Sequence, residues 1–203
     1  MYPSYVIMEP YLRSTDIIDW QDPEVLSRGR ELASDCETPE DVTKICFEWV
    51  RDAILHIGDH NISTVACTAL EVLKTGSGVC YAKSHLLTAL LRANGIPAGF
   101  CYQRLSVNDN GPPFCLHGLT AVHLPKHGWY RVDARGNNAV VSARFTPPVE
   151  DLCYTPRLPG ETDLPEIWPD PLPVIIEALR TYRTKDDLWE HLPDIPIITL
   201  TQP

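Results

Sequence analysis

A nearly continuous apolar stretch follows a short turn near the middle of the chain. Residues 76–79 carry two glycines, Cys80 begins the next segment, and residues 86–91 are almost wholly apolar. Residues 94–97 (Asn-Gly-Ile-Pro) then supply a glycine suited to left-handed backbone and a proline that blocks further helix. The pattern predicts a helix that begins at Cys80 and ends before the proline. A helix that is apolar on every side belongs in the middle of a domain.

Three more helices are predicted before this segment. Asp22 and Pro23 make a good N-cap and first helical residue, and that helix should run to about Ser34. The sequence Thr-Pro-Glu-Asp at 38–41 starts the second helix, with acidic residues at the positive end of its dipole. A short third helix covers residues 68–74. The second helix should pack on the core because its apolar residues follow helical spacing: Val42, Ile45, Cys46, Trp49, Val50, Ala53 and Ile54.

Strand patterns replace helical ones after residue 97. Residues 98–107, 117–124 and 129–134 are rich in aromatic and β-branched side chains. A loop at 108–113 separates the first two strands, and a hairpin turn at 125–128, which ends in glycine, joins the last two. Helices followed by antiparallel strands imply an α+β fold.

The two ends of the chain carry weaker patterns. Residues 1–20 suggest an extended arm with a short strand, and a further strand is predicted at 139–145. A helix at 174–182 and a last turn near 186–191 follow a proline-rich loop. With 203 residues and no linker, the chain is predicted to form a single domain: a core at about 40–136, an N-terminal arm and helix at 1–38 and a proline-rich extension at 137–203.

The amino-acid composition argues against two classes of binding partner, nucleic acids and membranes. The formal net charge of −10 argues against a nucleic-acid surface and against adhesion to anionic lipid, since both need clustered Lys and Arg. No signal-peptide pattern stands out in residues 1–20, and no apolar stretch is long enough to span a bilayer. We therefore expect a soluble, cytoplasmic protein without a nucleic-acid or membrane partner.

The chain has seven cysteines, an odd number, and none forms a Cys-x-x-Cys pair. We expect free thiols in a reducing compartment, with Cys46, Cys101 and Cys115 in the core. A zinc site is disfavoured because tight ligand pairs are missing. Cys80 differs from the others because it begins a helix, where unpaired N–H groups and the positive end of the dipole stabilise a thiolate. Cys80 is therefore the predicted nucleophile.

A cysteine nucleophile needs a base to take its proton and a third group to hold that base. Among seven histidines, His117 begins a strand directly after a flexible loop, and Asp133 ends the partner strand. His123 is the main rival, but it lies near the hairpin turn and far from Asp133 along the strand. His85 lies about one and a half turns into the nucleophile helix, so its side chain should point away from the thiol.

The register of the hairpin decides whether these residues can meet. With a plain four-residue loop, Asp133 lies opposite Thr120. His117 is then three residues away, roughly 10 Å at ~3.3 Å per residue, and on the other face of the sheet. The triad therefore requires a register that differs by an odd number of residues, and a bulge at Gly128 is the natural way to obtain it.

Three blocks of sequence resemble one family. They are Gly-Ser-Gly-Val-Cys-Tyr-Ala-Lys-Ser at 76–84, His-Gly-Leu-Thr-Ala-Val-His-Leu at 117–124 and Gly-Trp-Tyr-Arg-Val-Asp at 128–133. In this order they resemble the bacterial transglutaminase-like superfamily, a papain-like group, over roughly residues 40–136. The family often has an aromatic residue two places after the histidine, where this chain has Leu119.

The resemblance implies that Cys80 is the nucleophile, His117 the base and Asp133 the acid that orients the base. It also implies that the central helix, which carries the nucleophile, packs on an antiparallel sheet. We expect a thiol-dependent acyl-transfer enzyme that hydrolyses an amide or peptide bond of a peptide, protein or small amide substrate, without cofactor or metal. The backbone N–H of Cys80 and one further donor would hold the oxyanion. Candidates for that donor or for the substrate site are Val79, Tyr81, His56, Asp59, His60 and Arg135.

Other interpretations remain open at this point. The acyl group could pass to an amine, as in a protein-glutamine transglutaminase, or the fold could serve as a binding module without catalysis. Cys80 could be a buried structural thiol, His117 a core histidine and Asp133 a turn-forming acid. The loop at 56–64 could be merely solvated, and Arg135 could form a surface ion pair.

Overall fold

Helices precede the main strands along the chain, as the sequence patterns predicted. The computed structural model describes residues 8–196. Helices α1 to α6 are Pro23–Leu32, Pro39–Ala53, Ala69–Thr75, Cys80–Ala93, Pro173–Thr181 and Lys185–Glu190. Strands β1 to β6 are Leu55–His56, Ser77–Gly78, Ala98–Ser106, Phe114–Leu124, Gly128–Val132 and Thr162–Asp163. The predicted helices and the three long strands are present, and the α+β class is confirmed.

Local capping starts the N-terminal helices where the sequence predicted. Helix α1 begins behind the Asp22 cap. Thr38 and Asp41 form a reciprocal capping box at α2, and Thr68 and Glu71 form another at α3. These side chains satisfy N–H groups that the first turn of a helix leaves unpaired. The positions of these helix starts therefore follow from short-range sequence.

Helix α4 lies at the centre of the fold. It contacts α1, α2 and α3 as well as β3 and β4, and every residue of α4 except Ala93 is buried. Even its two long cations are enclosed and bonded: Lys83 Nζ donates to the carbonyl of Ile54, and Arg92 to the carbonyl of Ala98. A buried charge requires such partners. The prediction of a central buried helix is confirmed.

A four-stranded antiparallel sheet packs against α4. Its strand order is β5-β4-β3-β6, and β3 pairs with β4 along its whole length. The edge strand β6 contributes only two residues and was not predicted. A separate parallel pair, β1 with β2, sets His56 opposite Gly78 and leads directly into Cys80. The loop residue His56 is thereby brought beside the start of α4.

The β4–β5 hairpin has the register that the triad requires. Gly128, whose φ is 69°, pairs with the last residue of β4, and only three residues form the loop. The register is therefore shifted by one residue from that of a four-residue loop. Asp133 follows the end of β5 and continues opposite Leu119, which is two residues from His117 and on the same face. The prediction of an odd shift in register is confirmed.

Residues 139–145 do not form the strand that the sequence predicted. The side chain of Asn138 accepts hydrogen bonds from the backbone N–H groups of Val140 and Val141 (2.8 and 3.0 Å). Such local bonds satisfy backbone groups that a strand would pair with a neighbouring strand. The segment is therefore a tightly turned loop, and the prediction was wrong.

The N-terminal arm is also more turned than predicted. Within the predicted extended arm, Glu9–Tyr11 form a short 3₁₀ helix, and residues 1–7 lie outside the described part. The helix and last turn predicted near the C-terminus correspond to α5 and α6. No helix within residues 8–196 is long and apolar enough to cross a membrane.

Helix α4 approaches β4 closely at Gly118. A Cβ atom added there would lie 2.8 Å from Cδ1 of Tyr81 and 3.3 Å from its Cα. The Tyr81 hydroxyl donates to the carbonyl of Leu116, and the Ser84 hydroxyl donates to the carbonyl of Gly118 (3.2 Å). These contacts hold the first turn of α4 against β4, next to His117.

We expect Gly118→Ala to lower the free energy of unfolding by roughly 1–3 kcal/mol, because the added methyl group forces Tyr81 or β4 to move. The displacement should also slow alkylation of Cys80. Gly95→Ala is the control for a steric clash, because nothing lies within 4 Å of its added Cβ and only the left-handed backbone is strained. It should leave the alkylation rate of Cys80 unchanged. Urea denaturation and iodoacetamide labelling measure the two effects. A Gly118→Ala variant with wild-type stability would contradict the close packing.

Candidate active site

Cys80 lies at the start of α4 and faces a cleft. The preceding residue, Val79, has extended backbone geometry and provides no side-chain cap, so the first N–H groups of α4 are not satisfied by a cap. Cys80 is 7% exposed and lines a cleft of about 760 Å³. A thiolate at this place meets the positive end of the helix dipole.

His117 and Asp133 form a buried pair beside Cys80. His117 Nε2 lies 2.8 Å from Asp133 Oδ2, and Asp133 is fully enclosed. Because Nε2 is engaged, Nδ1 is the ring nitrogen left for the thiol, and Cys80 and His117 line the same cleft. The structure thus brings together the three residues that the sequence singled out.

Neighbouring charges determine the protonation states of His117 and Asp133. Burial alone would lower the pKa of His117, but the negative charge of Asp133, the neighbouring Cys80 and the hydrogen bond to Asp133 raise that pKa to about 10. Burial alone would raise the pKa of Asp133, but the imidazolium and two backbone N–H donors lower it. His117 is therefore a cation and Asp133 an anion at neutral pH.

Backbone donors from two further segments hold the carboxylate of Asp133. The N–H of Arg135 donates to Oδ1 and the N–H of Cys153 to Oδ2, each over 3.1 Å. The ring of Tyr154 meets that of His117 edge-on, with centroids 4.9 Å apart. Cys153 and Tyr154 were not among the predicted site residues, since both lie in the proline-rich extension. No local signal marks them, because their contacts join segments far apart in the chain.

The remaining site candidates fall into two groups. Four of them line the cleft with Cys80: Val79, Tyr81, His56 and Arg135. The hydroxyl of Tyr81 is already bonded to the carbonyl of Leu116 and does not face a ligand. Asp59 and His60 instead line a neighbouring polar pocket of about 150 Å³, which His56 shares. The loop before α3 is therefore part of the site region.

Arg135 is bound within the protein. Its Nη1 and Nη2 atoms lie 2.5 and 2.8 Å from the two carboxylate oxygens of Asp59, and this hydrogen bonding lowers the pKa of Asp59 to about 2. His56 lies close by, and its Nδ1 has no hydrogen-bond partner among residues 8–196. Burial and the nearby cation of Arg135 lower the pKa of His56 to about 3, so its ring is neutral.

The rival histidines are engaged elsewhere. His85 Nδ1 lies 2.7 Å from the carbonyl oxygen of Cys67, deep in the core. The prediction that His85 points away from the thiol is therefore confirmed. His123 packs edge-on against Trp129, with ring centroids 5.4 Å apart.

All seven cysteines are free thiols, and Cys46 and Cys101 are buried as predicted. The prediction of Cys115 as a core residue was wrong. It lies two residues before His117 on β4, so both side chains lie on one face of the strand, and it lines the cleft. Burial raises the pKa of Cys115 to about 12. Within residues 8–196, no group of three or more His, Cys, Asp or Glu side chains is placed to hold a metal ion.

A family model described as the transglutaminase-like superfamily matches residues 27–134, just over half of the chain. The chain belongs to the transglutaminase-like superfamily. The resemblance carried by the three sequence blocks is thereby confirmed. The matched range contains Cys80, His117 and Asp133, and it ends before the extension that supplies Cys153.

Three solved structures match this transglutaminase-like chain. A candidate cysteine protease from Cytophaga hutchinsonii has a TM-score of 0.50 at 19% identity, over 63% of this chain and 42% of its own. The periplasmic domain of TgpA from Pseudomonas aeruginosa has a TM-score of 0.45 at 18% identity, over 62% and 45%. A candidate protease from Parabacteroides distasonis has a TM-score of 0.44 at 12% identity, over 81% and 30%. The match spans less than half of each of these proteins.

The Cytophaga structure has a similar fold over the matched region. No curated protein matches the chain significantly. The single-domain organisation and the cytoplasmic location of this superfamily member stay predictions, as do the catalytic roles of its residues.

The raised pKa of His117 can be tested by NMR on histidine-labelled protein. In the wild type, the His117 ring should stay protonated until the pH approaches about 10. Asp133→Asn removes a charge that raises this pKa and should lower the transition by roughly 1–3 units. His85, whose pKa burial lowers to about 4, is the internal control and should not change. Identical His117 titrations in both proteins would show that the Asp133 charge does not act on the ring.

The raised pKa of His117 also makes the free energy of unfolding depend on pH in a defined direction. The folded-state pKa of His117 lies above the value of ~6.5 for a free imidazole, so its contribution to the free energy of unfolding is complete below pH ~6.5. That contribution is lost as the pH rises through about 10. The stability difference between wild type and Asp133→Asn should therefore shrink from neutral pH toward pH 10.

Proposed function

We propose that this chain is a thiol-dependent acyl-transfer enzyme that hydrolyses an amide or peptide bond. One observation carries the proposal: the buried His117–Asp133 hydrogen bond of 2.8 Å leaves one ring nitrogen free for Cys80 at the start of α4. A nucleophile, a base and a group that orients the base are the parts that covalent acyl transfer needs.

In the first half-reaction, His117 already holds the thiol proton as the imidazolium, and the Cys80 thiolate sulfur attacks the substrate carbonyl carbon. The backbone N–H of Cys80, with one further donor, stabilises the oxyanion of the tetrahedral intermediate. The C–N bond then breaks, and the imidazolium gives its proton to the leaving amine. A thioester between Cys80 and the acyl group remains.

In the second half-reaction, His117 takes a proton from water, and the resulting hydroxide equivalent attacks the thioester carbonyl. The C–S bond breaks, the product acid leaves, and the Cys80 thiolate and the His117 imidazolium are regenerated. Asp133 stays ionised throughout and holds the ring by its hydrogen bond to Nε2. It therefore stabilises the imidazolium that forms in each half-reaction.

The choice of water over an amine as acyl acceptor rests on chemistry. The same triad transfers the acyl group to an amine when an amine reaches the thioester before water, as in a protein-glutamine transglutaminase. Water is always present, and no residue of the cleft marks an amine pocket. A peptide or protein substrate is supported by the description of the Cytophaga protein as a candidate cysteine protease.

Replacing the thiol tests the nucleophile. We expect Cys80→Ala to abolish turnover of peptide, glutamine and activated-ester substrates, with little change in the unfolding transition, because a small residue at a helix start costs little. Cys115→Ala is the matched control, since Cys115 lines the same cleft but is held protonated. Intact-mass spectrometry with an activated ester should detect an acyl adduct on the wild type and on Cys115→Ala. Residual activity of Cys80→Ala within tenfold of wild type would overturn the assignment.

Selective alkylation tests the activated pair without a substrate. Near pH 6, limiting iodoacetamide should label one site in the native protein, and peptide mapping should find it at Cys80. His117→Ala should slow this labelling by about tenfold or more, because the ion pair is lost. Asp133→Asn should slow it less, since the imidazole remains present. If Cys80 reacts no faster than a model thiol in the wild type and in the histidine variant, the binding-module interpretation replaces the enzyme.

A further inference from the structure

The mouth of the Cys80 cleft is unusually apolar for solvent-exposed surface. Among residues 8–196, six large hydrophobic side chains are exposed, and three of them line this cleft: Val107, Trp189 and Val140. They come from the end of β3, from α6 and from the loop after β5. Exposed apolar side chains gathered around one cleft indicate a binding surface, whereas single ones scattered over the surface do not.

Val140 is the extreme case, with 89% of its surface exposed. Its loop is nevertheless rigidly bonded: the Asn138 side chain accepts from the N–H groups of Val140 and Val141, and its amide donates to Asp59 (3.1 Å). Asp59 in turn holds Arg135. The loop therefore holds the exposed Val140 side chain in a defined position. Hydrogen bonds connect this loop through Asp59 to Arg135.

The charged side chains that line the cleft are already compensated. Within the described residues, Arg135 is paired with Asp59 and Arg157 with Asp109 (2.8 Å). Glu161 accepts bonds from three backbone N–H groups, those of residues 106, 157 and 158. A charged substrate group entering the cleft would be desolvated without gaining a free partner, which is unfavourable.

We propose that the cleft selects substrates whose acyl portion carries an apolar side chain next to the carbonyl that Cys80 attacks. This inference rests on the proposed function and specifies its substrate class. The apolar side chain would be covered by Val140, Val107 and Trp189, and burial of its surface supplies the selectivity. Acidic and basic side chains at the same position are disfavoured, because Arg135, Arg157 and Glu161 are already bonded to partners within the protein.

Peptidyl acyloxymethyl ketones test the preference directly. In the labelling step, Cys80 Sγ bonds to the methylene carbon of the probe and a carboxylate leaves, so one covalent adduct forms per active thiol. Probes that differ only in the residue next to the ketone, namely Leu, Phe, Gln, Asp and Lys, are compared by their second-order rate constants from intact-mass spectrometry. We expect the Leu and Phe probes to react at least about tenfold faster than the Asp and Lys probes.

A pair of valine substitutions supplies the matched control. Val140→Asp places a carboxylate at the mouth of the cleft and should reduce the preference for Leu over Lys by roughly two- to fivefold. Val149→Asp adds the same charge at a valine that is 69% exposed but does not line the cleft, and it should leave the preference unchanged. Both side chains are largely solvated, so neither substitution should prevent folding, and circular dichroism checks this.

The outcomes separate this inference from the proposed function. If iodoacetamide labels Cys80 rapidly but the probes react at equal rates, or the charged probes react faster, the substrate class is wrong while the nucleophile stands. If neither iodoacetamide nor any probe labels Cys80, the proposed function itself fails. Equal effects of Val140→Asp and Val149→Asp would show that net charge, and not contact in the cleft, sets the preference.

Discussion

A carboxylate enclosed away from water is the constraint on which the rest of the site depends. Asp133 is fully buried, and an uncompensated charge there would cost several kcal/mol. Its partners come from three segments: the ring of His117 on β4, the N–H of Arg135 in the following turn and the N–H of Cys153 in the extension. The charge is satisfied only when all three segments are in place. The same bonds orient His117 toward Cys80.

The second requirement is that helix α4 reaches β4 at the level of His117. Gly118 permits this because it leaves room for Tyr81, whose hydroxyl bonds back to β4. A residue with a Cβ atom there would push apart the two elements that carry Cys80 and His117. The position after the histidine is therefore constrained by packing, while the histidine is constrained by its hydrogen bond. Packing at Gly118 therefore positions the start of α4, which carries Cys80, whereas a hydrogen bond to Asp133 positions His117.

The cleft is built from a wider part of the chain than the triad. Cys80, His117 and Asp133, the proposed nucleophile, base and orienting acid, lie within the range matched by the family, residues 27–134. Much of the cleft wall comes from later residues, including the loop at 140–141, Tyr154 and Trp189. The proposed triad thus lies in the superfamily core, and the extension contributes part of the cleft wall.

The sequence alone was sufficient for elements specified by short-range interactions. Local signals were the caps of α1, α2 and α3, the apolar residues that follow Cys80 and the glycine of the β4–β5 turn. The sequences of α4 and of the hairpin also indicated the candidate site residues. The sequence-based prediction was wrong at residues 139–145. There the Asn138 side chain accepts hydrogen bonds from backbone N–H groups that a strand would pair with a neighbouring strand. Only the tertiary structure decided the partners of Asp133 and the lining of the cleft. These depend on contacts between residues distant in the chain, which local pattern and propensity do not encode.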